Sequence, residues 1–162
     1  MSKMVKRSYV SDQFMGIPHP SETTTLFGQK KACEQFLEAF SADRLHHGWL
    51  LTGPRGIGKA TLAWQIAKFL ITTPDPEKGP ASLATAKTRM SLNVDENHPT
   101  VRRIRSGSER GLLHIQCPYD EKRKRFKQVI TVDEIRKLNS FFTLSAMDGG
   151  RRIVIVDSAD DM

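Results

Sequence analysis

The stretch "GPRGIGKAT" at residues 53–61 contains the residues of this chain best suited to bind phosphate. Gly53, Gly58 and Lys59 have the G-x-x-x-x-G-K spacing of a nucleotide phosphate loop. In such a loop the glycines let backbone amides surround phosphate oxygens, the lysine reaches the β- and γ-phosphates, and the following helix adds positive potential. The spacing therefore predicts a nucleotide-binding loop. The candidate binding residues are Gly53, Pro54, Arg55, Gly56, Ile57, Gly58, Lys59, Ala60 and Thr61.

Ala60 stands where a nucleotide-hydrolysing loop carries the Ser or Thr that ligates magnesium. Alanine offers no ligand atom. Thr61 lies about 100° further round the helix, so it is placed to touch the α-phosphate rather than to replace that ligand. We expect ATP binding through backbone amides and Lys59 to be weak or vestigial, magnesium binding to be doubtful, and metal-assisted hydrolysis to be lost.

A second candidate residue, Asp157, ends the apolar run "RRIVIVD". An aspartate at the end of a buried strand holds magnesium through water in phosphate-loop NTPases, although it also occurs where a strand simply reaches solvent. Hydrolysing members with an Asp-Glu pair use the glutamate to position the attacking water, and here Ser158 follows instead. Asp160 and Asp161 lie too far along the chain to take that place. Two catalytic positions are thus altered together.

Potential metal ligands are sparse. Structural zinc needs about four Cys or His ligands at close spacing, and residues 72–110 contain only His98. His114 and Cys117 form an isolated pair, so we predict no zinc site. Cys33 is expected to be a small buried residue of a helix, and no disulfide is expected without an export signal.

The elements around the loop follow from hydrophobic spacing. Residues 1–27 are expected to be extended, and a helix is predicted from Gln29 until "SADRLHHG". "GWLLTG" is predicted to be a short buried strand that leads into the loop, and the helix after the loop should end at "TTPDPEKGP".

The second half of the chain begins with a weakly patterned insertion at residues 72–110, with at most one helix around residues 81–90. "GLLHIQC" is predicted to be a strand. Thr131 and Glu134 have capping-box spacing at the start of a helix, and "RRIVIVD" is predicted to be a fully buried parallel strand. Alternating strands and helices predict an α/β fold.

The chain carries 25 basic and 18 acidic residues, a net charge of +7. Its basic residues cluster in "VRRIR" (101–105), "EKRKRFK" (121–127) and "RR" (151–152). Each cluster fits either a solvated loop or a contact with nucleic acid. No apolar run is long enough to span a bilayer, and the N-terminus lacks the apolar core of a signal peptide. We therefore expect a soluble cytoplasmic protein.

Two longer blocks resemble a known family. "HPSETTTLFGQ" and "RLHHGWLLTGPRGIGKATLAWQIAKFL" resemble the N-terminal AAA+ module of bacterial clamp-loader subunits. "YDEKRKRFKQVITVDEIRKLNSFFTLSAMDGGRRIVIVDSADDM" resembles the delta-prime subunit family of DNA polymerase III. The resemblance implies a P-loop AAA+ sheet flanked by helices. It also implies a non-hydrolysing stator that, with delta and gamma/tau subunits, loads the sliding clamp onto primed DNA.

The chain departs from that family in two ways. It lacks the four-cysteine zinc module that many clamp-loader subunits carry, and it ends at Met162, soon after Asp157. We therefore expect residues 28–162 to form a partial AAA+ domain, truncated after the Walker B strand and poorly stable alone. Two other functions stay open: an active AAA+ ATPase of the gamma/tau type, and a basic nucleic-acid-binding domain with a relic loop.

Overall fold

The computed structural model describes residues 18–73, 91–143, 150–157 and 159. The helices in these ranges are α1 (Lys30–Ser41), α2 (Lys59–Thr72), α3 (Pro99–Arg105) and α4 (Val132–Thr143). The strands are β1 (Leu112–Ile115), β2 (Tyr119–Asp120), β3 (Arg125–Phe126) and β4 (Ile153–Val156). Ser158, Asp160, Asp161 and the helix expected at residues 81–90 lie outside the described residues, as do residues 1–17 of the segment predicted to be extended.

Helix α1 forms where the three- and four-residue spacing predicts it. Phe36, Leu37 and Phe40 are buried in one cluster with Leu62 and Phe69 of α2, and Leu26, before α1, packs against it. Cys33 is only partly buried, so the expectation of a buried thiol was wrong in degree; partial burial nevertheless raises the pKa of this thiol. No disulfide joins it to Cys117.

Helix α2 is the centre of the structure because it is buried on two sides. Leu62 and Phe69 pack into one hydrophobic cluster with α1, whereas Trp64 and Ala67 pack into another with α3 and β4. A helix that is apolar on most of its circumference has to be covered on more than one side. The helix ends at Thr72, the first residue of "TTPDPEKGP", as predicted.

Strands β1 and β4 pair in parallel, with Leu112 opposite Ile153 and Ile115 opposite Val156. Ile153 and Ile155 pack in the cluster that contains α2, while Val154 and Val156 pack in the cluster that contains α4. Successive residues of a strand point to opposite faces, so helices cover both faces of this small sheet. The predicted α/β class with a parallel sheet between helices is therefore observed.

The burial of β4 is less complete than predicted. Only Ile155 is buried, and its neighbours in the strand are partly exposed. Within the described residues β4 pairs with β1 alone, so its other edge has no strand beside it. A strand at a sheet edge keeps part of its surface in contact with solvent.

The prediction of a buried strand at "GWLLTG" was wrong. Residues 48–52 belong to no strand, and Leu50 is 79% exposed. Trp49 contacts the core through an edge-to-face packing against Phe36, 5.3 Å between ring centroids. A strand forms when its backbone groups pair with a neighbour, and none of the described strands lies beside these residues.

The region 72–110 contains a helix that the sequence did not reveal. Helix α3 has only seven residues, too few for a clear periodic pattern, but it begins with two strong signals. His98 Nδ1 accepts a hydrogen bond from the Thr100 amide at 3.2 Å, and Pro99 occupies the first turn. Val101 and Ile104 then bury the helix against α2 and its neighbours.

Helix α4 begins at Val132 as predicted, but without the expected capping box. Thr131 accepts the first helical hydrogen bonds through its carbonyl, and within the described residues its side chain makes no hydrogen bond to Glu134. The Glu134 carboxylate accepts instead from Lys137 Nζ at 2.5 Å. Among the described residues no helix is both long and apolar enough to cross a membrane.

Candidate nucleotide-binding site

The glycine-rich loop is a tight turn directly before α2. Gly58 precedes the helix with φ 93° and ψ 20°, a left-handed conformation that favours glycine. Gly53 has φ 141°, and a Cβ atom at this position would lie 2.6 Å from Ile57 Cδ1. Both glycines are therefore required by the shape of the loop, as the G-x-x-x-x-G-K spacing predicts.

Lys59 lies across this loop. Its Nζ donates to the carbonyls of Gly53 at 2.9 Å and Pro54 at 3.0 Å. The ammonium group is thus held by the loop it follows and stays close to its backbone. A cation in this position is suited to meet a phosphate group that enters the turn.

The residues before α1 hold the other side of the loop. Gln29 Nε2 donates to the Ile57 carbonyl at 2.7 Å, and Leu26 Cδ1 lies 3.4 Å from the position that a Cβ atom on Gly58 would occupy. Gln65, from α2, donates to the Thr24 carbonyl at 3.1 Å and so connects α2 to the segment before α1. Gln29 was not singled out from the sequence, because no local spacing connects it to a loop 28 residues away.

The loop residues fit a phosphate group better than they fit a metal ion. Within the described part of the chain, the amides of residues 55–58 donate no backbone hydrogen bond, so they remain available as donors. Ala60 lies partly buried in the first turn of α2 with a methyl group where a ligand oxygen would be needed. Thr61, the next residue of the helix, is also partly buried. The binding roles of residues 53–61 stay predictions.

Asp157 lies directly after β4, at the carboxyl end of the parallel pair. Its amide donates to the Ile115 carbonyl at 2.8 Å, and its Oδ2 lies 3.9 Å from His114 Nε2. The His114 ring packs edge-on against Trp64 at 5.1 Å, and His19 packs against the same indole at 5.6 Å. Trp64 belongs to α2, so an aromatic cluster connects the acid to the helix that follows the loop.

No local pattern in the sequence indicates this cluster. His19, Trp64 and His114 come from the N-terminal segment, α2 and β1, and only the tertiary fold brings them together. The described residues include no group of three or more His, Cys, Asp or Glu side chains that could hold a metal ion. His98, the isolated histidine of the region 72–110, caps α3.

One buried cation lies on α2 beyond the loop. Lys68 is 3% exposed, and its Nζ lies 3.8 Å from a carboxylate oxygen of Glu96. Burial lowers the pKa of this lysine, and Glu96 acts against that shift. Lys68 and Glu96 line a small polar cavity of about 230 Å³ beside the segment at residues 91–96.

Two of the three basic clusters are occupied by contacts within the chain. In the first cluster, Arg103 pairs with Glu109 at 2.8 Å and Arg105 pairs with Glu96. In the cluster at residues 151–152, both guanidinium groups donate to backbone carbonyls and lie over phenylalanine rings. Arg103, Arg105, Arg151 and Arg152 therefore contact other groups of the chain itself.

Comparison with protein families identifies the family of this chain. A family model described as "DNA polymerase III, delta subunit" matches residues 28–162. The chain belongs to the DNA polymerase III delta-subunit family. This clamp-loader family takes part in DNA replication.

Two curated relatives carry the name DNA polymerase III subunit gamma. The protein from Buchnera aphidicola subsp. Schizaphis graminum is 35% identical over 77 residues, which are 48% of this chain and 20% of the relative. The protein from Buchnera aphidicola subsp. Acyrthosiphon pisum is 43% identical over 51 residues, 32% of this chain and 14% of the relative. The chain thus spans a fifth or less of these relatives. No solved structure matches it.

Proposed function

We propose that this chain is the delta-prime type of clamp-loader subunit, a stator with a degenerate nucleotide site. It would act in the cytoplasm, with delta and gamma/tau subunits, in the ATP-driven loading of the sliding clamp onto primed DNA. The proposal is carried by Ala60, because the residue that should ligate magnesium is an alanine in a loop that is otherwise complete.

Two further features support this function. Lys59 donates to carbonyls of its own loop, so the loop keeps its shape through contacts within the chain. Asp157 is followed in the sequence by serine, where a hydrolysing site uses a glutamate to position water. ATP, if bound, would be held by the loop amides and Lys59, and zinc takes no part in this proposal.

The second candidate function is an active ATPase subunit of the gamma/tau type. It is favoured by the two relatives named DNA polymerase III subunit gamma. In that case Thr61 and a water molecule would have to replace the ligand that Ala60 cannot supply. The two functions therefore differ in whether nucleotide binding depends on magnesium.

A titration of the full-length chain with a fluorescent ATP analogue, with and without magnesium, separates them. The stator function predicts weak binding that magnesium does not strengthen, and no turnover. Ala60→Thr is the matched variant, because it restores the hydroxyl without changing the rest of the loop; only this variant should gain magnesium dependence. Tight, magnesium-dependent binding with turnover by the unaltered chain would establish the ATPase instead.

A further inference from the structure

The third basic cluster forms the tip of a small β-hairpin, here called the basic hairpin (residues 119–126). Strands β2 and β3 pair antiparallel, with Tyr119 opposite Phe126 and Asp120 opposite Arg125. Residues 121–125, which form the turn and the start of β3, are all exposed. Over residues 120–127 there are five basic side chains and two acidic ones, a net charge of +3.

The basic hairpin is built to hold its shape. The Tyr119 and Phe126 rings pack edge-to-face at 5.0 Å, and the Lys127 amide donates to the Pro118 carbonyl at 2.9 Å. Asp120 Oδ1 accepts from the amides of residues 122 and 123, at 3.0 and 3.1 Å. These hydrogen bonds lower the pKa of Asp120, so its carboxylate stays charged and fastens the turn.

The side chains of the cations at the tip make no ion pair or hydrogen bond within the described parts of the chain, although the charge of Arg123 acts on Asp120. No ion pair or side-chain hydrogen bond within those parts involves the side chains of Lys122, Arg123, Lys124 or Arg125. This distinguishes the hairpin from the clusters at residues 101–105 and 151–152, where Arg103, Arg105, Arg151 and Arg152 pair with carboxylates or backbone carbonyls. Four adjacent cations that none of the described residues pairs, held on a rigid turn, form a surface for a polyanion.

We propose that the basic hairpin contacts the phosphate backbone of duplex DNA. The inference rests on the proposed function in one respect, since a subunit that works on primed DNA meets this polyanion directly. The chemistry favours backbone over bases: Tyr119 and Phe126 are packed against each other, so the exposed tip offers charge without an aromatic platform. The contact is therefore independent of DNA sequence.

The test is the salt dependence of binding between the full-length chain and a fluorescein-labelled duplex of random sequence, followed by anisotropy. The hairpin variant combines Lys122→Gln, Arg123→Gln, Lys124→Gln and Arg125→Gln. The control variant removes four exposed cations elsewhere: Lys30→Gln, Lys31→Gln, Arg44→Gln and Arg102→Gln. Both variants lose the same net charge from exposed positions, and in the control variant Lys30 also loses its ion pair with Glu34. A third variant exchanges Lys and Arg within the hairpin and keeps the charge.

Each phosphate contact contributes about 0.9 to the slope of log affinity against log salt, so four contacts contribute about 3.6. Between about 50 and 200 mM salt this corresponds to roughly a hundredfold change in affinity. The hairpin variant should lose most of that slope and bind at least about tenfold more weakly in low salt. The control and charge-conserving variants should stay close to the unaltered chain.

Equal losses in the hairpin and control variants would overturn the proposal, as would unaltered binding by the hairpin variant or no salt-dependent binding by the unaltered chain. Loss of binding to another subunit with DNA binding intact would show that the hairpin contacts an acidic protein surface instead. Copurification of the unaltered chain with delta and gamma subunits is measured separately. A failure to copurify would contradict the proposed function, and the DNA titration would still test whether the hairpin contacts DNA.

Discussion

Replacing Gly58 by alanine tests the conformation on which the interpretation of the loop depends. Gly58 has φ 93° and ψ 20°, so an alanine here would have to adopt a left-handed backbone. That conformation costs a non-glycine residue roughly 1–2 kcal/mol. The added Cβ would lie 3.4 Å from Leu26 Cδ1, the end of a flexible side chain, so steric contact adds little. The expected loss is therefore about 1–2 kcal/mol of unfolding free energy.

Gly48→Ala is the matched control because a Cβ atom there would have no neighbour within 4 Å and the backbone φ is not in the left-handed range. This substitution should stabilise the chain by about 0.4–1 kcal/mol through the unfolded state. Urea unfolding of the full-length protein measures the change in unfolding free energy for both variants. In thermal unfolding, Gly58→Ala should lower the melting temperature by roughly 2–8 °C. If the two variants shifted stability in the same direction, the loop geometry described above would be wrong.

Three further substitutions test the packing around helix α2. Burial lowers the pKa of Lys68 in the folded state, so the unfolded state binds more protons than the folded state between that lowered pKa and the ordinary pKa of 10.5. The free energy of unfolding should therefore rise with pH across that window, which urea unfolding measures. Lys68→Met should remove the rise, and Lys31→Met at an exposed position should keep it. Phe69→Ala removes a ring with 0% exposure and should cost about 3–5 kcal/mol in urea unfolding, whereas Phe142→Ala on the surface should change stability by less than about 0.5 kcal/mol. Arg151→Met removes two hydrogen bonds to carbonyls at the end of α2 and should cost about 1–3 kcal/mol, seen as faster amide exchange in the last turn of that helix.

The elements that the sequence predicted correctly are those with a strong local pattern. Helices α1, α2 and α4 each repeat apolar residues at three- and four-residue spacing, and β4 is a continuous apolar run. Helix α3 was missed because seven residues give too short a pattern, although His98 and Pro99 mark its start. The predicted strand at residues 48–52 failed for a different reason, since strand formation depends on a neighbour that local sequence does not specify.

The candidate site likewise has parts that the local sequence indicates and parts that it does not. The shape of the turn was predictable because glycines stand at fixed spacing, and Gly53 and Gly58 have positive φ angles; its phosphate binding stays a prediction. The hydrogen bond from Gln29 and the cluster of His19, Trp64 and His114 were not predictable, because their members are distant in sequence and join only after folding. Which basic cluster remains available for a partner likewise depended on the contacts that the fold makes.

ATP turnover by the reconstituted clamp loader tests most directly whether this chain is a stator. The measurement uses Lys59→Ala in this subunit alone, with the matching lysine substitution in the gamma-type subunit as the control. The stator function predicts DNA-stimulated turnover within about twofold of the unaltered complex for the first variant, and a large loss for the second. A loss of more than about tenfold caused by Lys59→Ala in this subunit would contradict it, because turnover would then depend on this loop.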